Sequence, residues 1–183
     1  MPALCIWTPE DGLLAAVAPL GLAAAAGTAL VVDLDPHGPR YPGAGSLADL
    51  VGEGPRRSDL APSRAGLAVL RNGGIALQEA LEVVTALMEG WPQVVLRLPC
   101  RPAPDQPAVP LVQVHPLLPG ALYPKVDDAA VYQQAGFRVP PPGPGPVLPV
   151  PKASTVAALL SGVLGRRERW VRAWADVWRW PWR

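Results

Sequence analysis

Lysine, phenylalanine, cysteine and histidine are all scarce in this 183-residue chain, and most of these scarcities remove a class of function. The first lysine is Lys125, so the long stretch before it has no ammonium with which to neutralise a phosphate. Cys5 and Cys100 lie far apart, and the only histidines are His37 and His115. That is too few soft ligands for a structural zinc and too few thiols for a disulfide framework; two reduced thiols in a cytoplasmic protein is the expectation. Charge of one sign is missing as well, since the net is +1. Residues 166–183 carry six arginines against Glu168 and Asp176, a local +4 that leaves the first 165 residues at −3. The body therefore has no electrostatic footprint for nucleic acid. No basic segment precedes an apolar run at the N-terminus, so a secretory signal is not expected. Leu13 to Val32 is uncharged over the length of a membrane span, but it is mostly alanine and is broken by Pro19, Gly21 and Gly27. A buried helix followed by a strand explains it better.

What is present starts with Ala29-Leu30-Val31-Val32-Asp33-Leu34-Asp35-Pro36-His37-Gly38. A uniformly apolar run of four suits a strand covered on both faces, as in a parallel sheet. Ligand sites of such sheets gather at the carboxyl ends of the strands, where Asp33 and Asp35 emerge. Alternation along a strand puts the two carboxylates on opposite sides unless a turn intervenes.

The rest of the chain reads as alternating strands and helices. Residues 3–7 form a first strand, and Thr8-Pro9-Glu10-Asp11 opens a helix to Ala26, with Thr8 as N-cap, Pro9 at the first helical position and Gly27 as stop. Ser46, with Asp49 three residues on, opens a short helix through Val51. Residues 52–66 read as surface loop, 67–70 as a strand, 75–89 as a helix with apolar residues at helical spacing, and 94–98 and 111–114 as strands. Fifteen of the 25 prolines fall between Pro99 and Pro151, which makes this half loop-rich. A helix is expected over 126–135 with Asp127 and Asp128 at its start, then a short strand at 137–139. Ser154 caps a helix through Leu164, and a last helix covers 166–179. No internal repeat is evident.

The order of elements to residue 115, the Asp33, Asp35, Pro36 and Gly38 pattern after its strand, and more loosely the Pro-Val-Pro-Lys-Ala-Ser segment at 149–154 resemble the ParA/MinD family of deviant P-loop ATPases. That resemblance implies an α/β fold, a mainly parallel sheet with helices on both faces, P-loop NTPase-like but shortened. It also implies a Lys-Gly-Gly-x-Gly-Lys-Ser/Thr loop at about Trp7 to Leu14, whose backbone cradles phosphates and whose hydroxyl holds magnesium. The chain instead has Trp-Thr-Pro-Glu-Asp-Gly-Leu-Leu there: Gly12 survives, but Leu13 and Leu14 stand where the lysine and hydroxyl residue belong. Glu10 and Asp11 bring carboxylates where phosphates would lie. The family's fourth strand ends on a magnesium-linked aspartate; here Arg97 holds that place, where it can pair with Asp33 across adjacent strand tops. A degenerate member without nucleotide, metal or catalytic residues is expected.

The C-terminal segment is chemically the most distinctive. At 100° per residue Trp170, Val171, Trp174, Val177 and Trp178 share one helix face, with Glu168, Arg172, Asp176 and Arg179 opposite; Trp180 and Trp182 follow around Pro181. The face can close the domain's own core, dock on another protein, or lie on a membrane with arginines at the headgroups. Packing on the domain's own core is the leading reading; the resemblance adds weight to the last, because MinD-like proteins carry a C-terminal membrane-targeting helix. Trp170, Trp174, Trp178, Arg169, Arg172 and Arg179 are the candidate contacts for a partner or membrane, with Trp170 and Trp174 at least half buried and Trp180 and Trp182 more exposed. The chain thus divides into an α/β body, 1–151, and a helical Trp/Arg tail, 152–183. Its expected role is a pseudo-ATPase scaffold or adaptor in a positioning or multiprotein assembly system, binding an active ATPase relative or itself. It would be cytoplasmic or peripheral to the inner membrane face. A peripheral membrane adaptor is one alternative and a metal-dependent enzyme using Asp33 and Asp35 another.

Overall fold

Short, uniformly apolar runs become the strands of one sheet, because a strand covered on both faces can bury every side chain it carries. The computed structural model describes residues 3–182 apart from 11, 40, 44, 57–58, 63–65, 101–106, 122, 124–128 and 164–166. Seven strands, β1 (Ala3–Trp7), β2 (Ala29–Asp33), β3 (Leu67–Leu70), β4 (Val94–Arg97), β5 (Leu111–Leu117), β6 (Val131–Gln134) and β7 (Val147–Leu148), form a single sheet in the order β3-β2-β4-β1-β5-β6-β7. Every pairing is parallel. With the helices α1 (Leu13–Ala26), α2 (Leu47–Glu53), α3 (Leu77–Gly90), α4 (Ala153–Leu160) and α5 (Arg169–Arg179), this is an α/β fold consistent with a P-loop NTPase-like arrangement.

Alternate strand residues feed two cores. Leu4, Ile6, Val31 and Val95 pack with α1 and α5 on one face, while Cys5, Leu30, Val32 and Leu96 pack with α2 and α3 on the other. Helix α1 is enclosed between the sheet and α5, so it needs no polar side; that is why residues 13–26 carry no charge. Among the described residues no helix is long and apolar enough to cross a membrane. A Cβ at Gly21 would stand 2.5 Å from the rings of both Trp170 and Trp174, so α5 reaches the α1 backbone only because that residue has no side chain.

Several expected boundaries move. The first helix begins at Leu13, not Thr8: the Thr8 hydroxyl donates to the Glu10 carbonyl at 2.9 Å and Gly12 occupies the N-cap position. A threonine turned onto its own loop cannot cap the helix, and residues 8–10 lie outside it. Glu10 is exposed there, whereas Asp11 lies outside the described residues. The helix expected over 126–135 is replaced in its second half by β6, since Val131 and Tyr132 cover the open edge of β5 and are fully buried. Its first part, with Asp127 and Asp128, lies outside the described residues. Residues 137–139 form no strand, and Phe137 is exposed. Lys152 rather than Ser154 is the N-cap of α4, which stops at Leu160. The last helix starts at Arg169.

Candidate functional site

The strand ends converge on one guanidinium. Register pairs Asp33 of β2 with Arg97 of β4, and both side chains point toward α1, the same way as Val31 and Val95. Arg97 Nη1 donates to Asp33 Oδ1 at 2.8 Å and to Asp35 Oδ2 at 3.1 Å, with Arg97 and Asp33 each only 2% exposed. The expected Arg97–Asp33 pair is therefore formed, and Asp35 joins it. The two aspartates do face one way, because a turn intervenes: Asp33 Oδ1 also accepts the Asp35 N–H, Asp35 Oδ1 accepts the His37 N–H, and Gly38 N–H closes onto the Asp35 carbonyl. A Cβ at Gly38 would overlap Arg97 Nη1, so glycine lets the turn fold over the cation.

A third partner comes from α1. Pro19 sits inside that helix and has no N–H to give the Ala15 carbonyl, four residues back. Arg97 Nε donates to that carbonyl instead, at 3.2 Å. The Tyr41 hydroxyl donates to the next carbonyl, Ala16, at 2.8 Å. Arg97 thus satisfies an oxygen that proline orphans and two carboxylates the sheet delivers. Burial pushes the Asp33 carboxyl above its ordinary value, with Arg97 opposing. Against the same desolvation, Asp33 above all holds the Arg97 guanidinium above its own ordinary value. A charge-assisted, buried knot of this kind fixes α1 to the ends of β2 and β4.

Beside the knot, at the ends of β2 and β3, lies an open cavity of about 690 Å³. Asp33, Asp35 and His37 form one wall, and Ser46, Asp49, Arg71 and Asn72 the other. Ser46 and Asp49 make a reciprocal capping box at the start of α2, as the sequence spacing implies. Those hydrogen bonds, first that of the Ser46 side chain, lower the Asp49 carboxyl below its ordinary value, and the charge of Arg71 adds to the effect. Asn72 belongs to this wall and was not singled out in the sequence; the Asn-Gly-Gly punctuation at 72–74 is the signal that marks it.

The tail residues are placed differently from a free contact surface. Trp170 and Trp174 are 2% and 0% exposed, packed edge-to-face with ring centres 5.5 Å apart on α1. Trp170 Nε1 donates to Gln133 Oε1 at 2.6 Å, and the half-buried Trp178 donates to the Leu22 carbonyl at 2.8 Å. The tryptophan face closes the domain's own core. Arg169, Arg172 and Arg179 are exposed, the last paired with Asp176. Trp182, expected outside, is 8% exposed and donates to the Val177 carbonyl at 2.7 Å, which ties down the end of α5.

Among the described residues no cluster of three histidine, cysteine or acidic side chains is arranged to hold a metal ion. Compared with known proteins, the chain matches no family model, and no curated protein is significantly similar to it.

Proposed function

We propose that the chain is a ParA/MinD-like pseudo-ATPase: a non-catalytic scaffold or adaptor of the cytoplasm that works by binding another protein, an active ATPase relative or a second copy, and takes no nucleotide. The observation that carries this is the Arg97 knot. The carboxylates that would face magnesium in an ATPase of this class hold a guanidinium instead, and the same guanidinium bonds to the first turns of α1, where a phosphate loop would deliver its anion. The connecting loop supports the reading, because its hydroxyl is turned to Glu10 and Leu13 stands 61% exposed at the helix start. Gly12 adopts an ordinary extended φ of −130° with open space around it, so it performs none of the close-approach work of a phosphate-loop glycine.

The surface left for a partner includes the outward side of α5, with Arg169, Arg172 and Arg179. A membrane would meet the same arginines but little apolar surface from this helix, since most of its tryptophan side is occupied by α1; a peripheral membrane role is therefore the weaker reading. The metal-enzyme reading is weaker still, as both aspartates are engaged by Arg97. The test is calorimetric titration with ATP and ADP in magnesium, expected to give no heat of binding at millimolar nucleotide. A magnesium-dependent dissociation constant below about 100 μM, roughly −5.5 kcal/mol, would overturn the proposal.

A further inference from the structure

The cavity beside the Arg97 knot contains a donor with nothing to donate to. Asn72 is only 4% exposed. Its Oδ1 accepts the N–H groups of Gly74 and Ile75, each at 2.8 Å, which fixes the amide in one sense. Turning it over would set an NH₂ group against two N–H groups. The end that remains, Nδ2, is buried without a hydrogen-bond partner among the described residues, and Asn72 lines the cavity. Buried amide groups of folded proteins are almost always paired, so a fixed and unpaired one at a cavity wall marks a place where an acceptor is to be brought from outside.

We propose that this cavity binds a small basic amino acid or a close analogue: a molecule with an amino or guanidino group at one end and an oxygen acceptor at the other. The walls select for that chemistry. Among the described residues three carboxylates, Asp33, Asp35 and Asp49, line the space against Arg71 and against Arg97, which holds the first two. One acid remains in excess, which favours a ligand carrying a nitrogen donor over a polyphosphate. Among the described residues no tryptophan, tyrosine or phenylalanine lines it, and its apolar lining is too small for a lipid chain. The ligand's carboxylate falls to Asn72 Nδ2 and the exposed Arg71 guanidinium, its basic end to Asp49, the acid of the lining that Arg97 does not engage. About 690 Å³ lies within the usual range of small-molecule sites and holds a free amino acid with water to spare. This inference stands independently of the pseudo-ATPase reading, since it needs neither a protein partner nor the absence of nucleotide.

The experiment is a titration of the intact chain with L-arginine, followed by calorimetry and by the side-chain amide resonance of Asn72. Saturable binding is expected at or below about 1 mM, with that resonance shifting. Agmatine, which keeps the guanidino group but lacks the carboxylate, should bind about tenfold more weakly, and L-glutamate and inorganic phosphate should not bind. Asn72→Asp keeps the acceptor for Gly74 and Ile75 but removes the donor. It should weaken L-arginine about tenfold while leaving agmatine unweakened. Should that variant fail to fold, Arg71→Ala, at an exposed side chain, is expected to weaken L-arginine and spare agmatine. No saturable response to L-arginine at about 10 mM, undiminished affinity in the folded variant, or binding of glutamate or phosphate in its place would each overturn the proposal.

Discussion

Replacing Arg97 by methionine tests the knot most directly, because it keeps the length of the side chain and removes its bonds to Asp33, Asp35 and the Ala15 carbonyl. Two carboxylates, Asp33 at 1% and Asp35 at 5% residue exposure, then lose their buried counter-charge. Breaking one side of such a pair costs about 3–5 kcal/mol. The Ala15 carbonyl loses the donor that stands in for Pro19, a further cost of about 1–3 kcal/mol. The sum, about 4–8 kcal/mol, is comparable with the whole stability of a small domain. Urea denaturation at pH 7.5 should therefore find Arg97→Met barely folded. Two controls separate the contributions. Pro19→Ala returns an N–H to Ala15, so it should stabilise the Arg97→Met chain more than the parent, by about 1–2 kcal/mol of coupling. Without Arg97, burial holds the Asp33 carboxyl further above its unfolded value near 4. The folded state then binds the extra proton, and its relative stability is present at acid pH and lost as pH rises through the folded value. The deficit should consequently be smaller at about pH 4.5 than at about pH 7.5. A deficit below about 1 kcal/mol, or equal effects of Pro19→Ala in both backgrounds, would refute the reasoning.

Three other outcomes follow from the same structure. Trp174→Ala should cost about 3–5 kcal/mol and Gly21→Ala about 1–3 kcal/mol in denaturant melts, whereas Gly12→Ala, with open space and an ordinary φ, should be neutral or slightly stabilising. Asp49, lowered by Ser46, contributes stability that is present above its unfolded value and lost as pH falls through the folded one. Ser46→Ala should thus weaken the chain at neutral pH and by less in acid melts. His115 is pushed below its ordinary 6.5 by burial among Trp7, Tyr123 and Tyr132. Its contribution is therefore present above the unfolded value and is lost as pH falls below it; NMR titration should find its midpoint under 6.5, and His115→Phe should flatten that limb.

The sheet was legible wherever a run of apolar residues left only one solution. Strands β1, β2 and β3 lie where the sequence puts them, and the Ser46–Asp49 box announces α2 because both halves of a local reciprocal bond lie within three residues of each other. The Thr8 start misled because a threonine followed by proline and two acids satisfies every local rule of a helix cap. Thr8 is nevertheless turned onto its own loop, outside the helix. Val131-Tyr132-Gln133-Gln134 misled for the opposite reason: its strand character comes from the open edge of β5, which no local pattern reports. At the site, the Arg97–Asp33 pair could be read from register alone. The convergence of Asp35 depended on the 35–38 turn, and the link from Arg97 to Pro19 joins positions that are neighbours only once the helix lies on the sheet. The inward tryptophans were decided by Gly21, a single missing side chain on another element.

The bond from Arg97 to the Ala15 carbonyl spans 82 residues, and that separation has a consequence for how the chain is made. A ribosome adding about 5–20 residues per second delivers Arg97 roughly 4–16 s after Ala15. Until then α1 carries an open carbonyl at its proline, and its outer side stays uncovered longer still, until Trp170 to Trp182 arrive. The first βαβ segment therefore emerges as an alanine-rich, uncharged helix with neither its cation nor its cover. It is a nascent segment that a chaperone would recognise, and it commits to its final shape only when the tryptophans of α5 have been added.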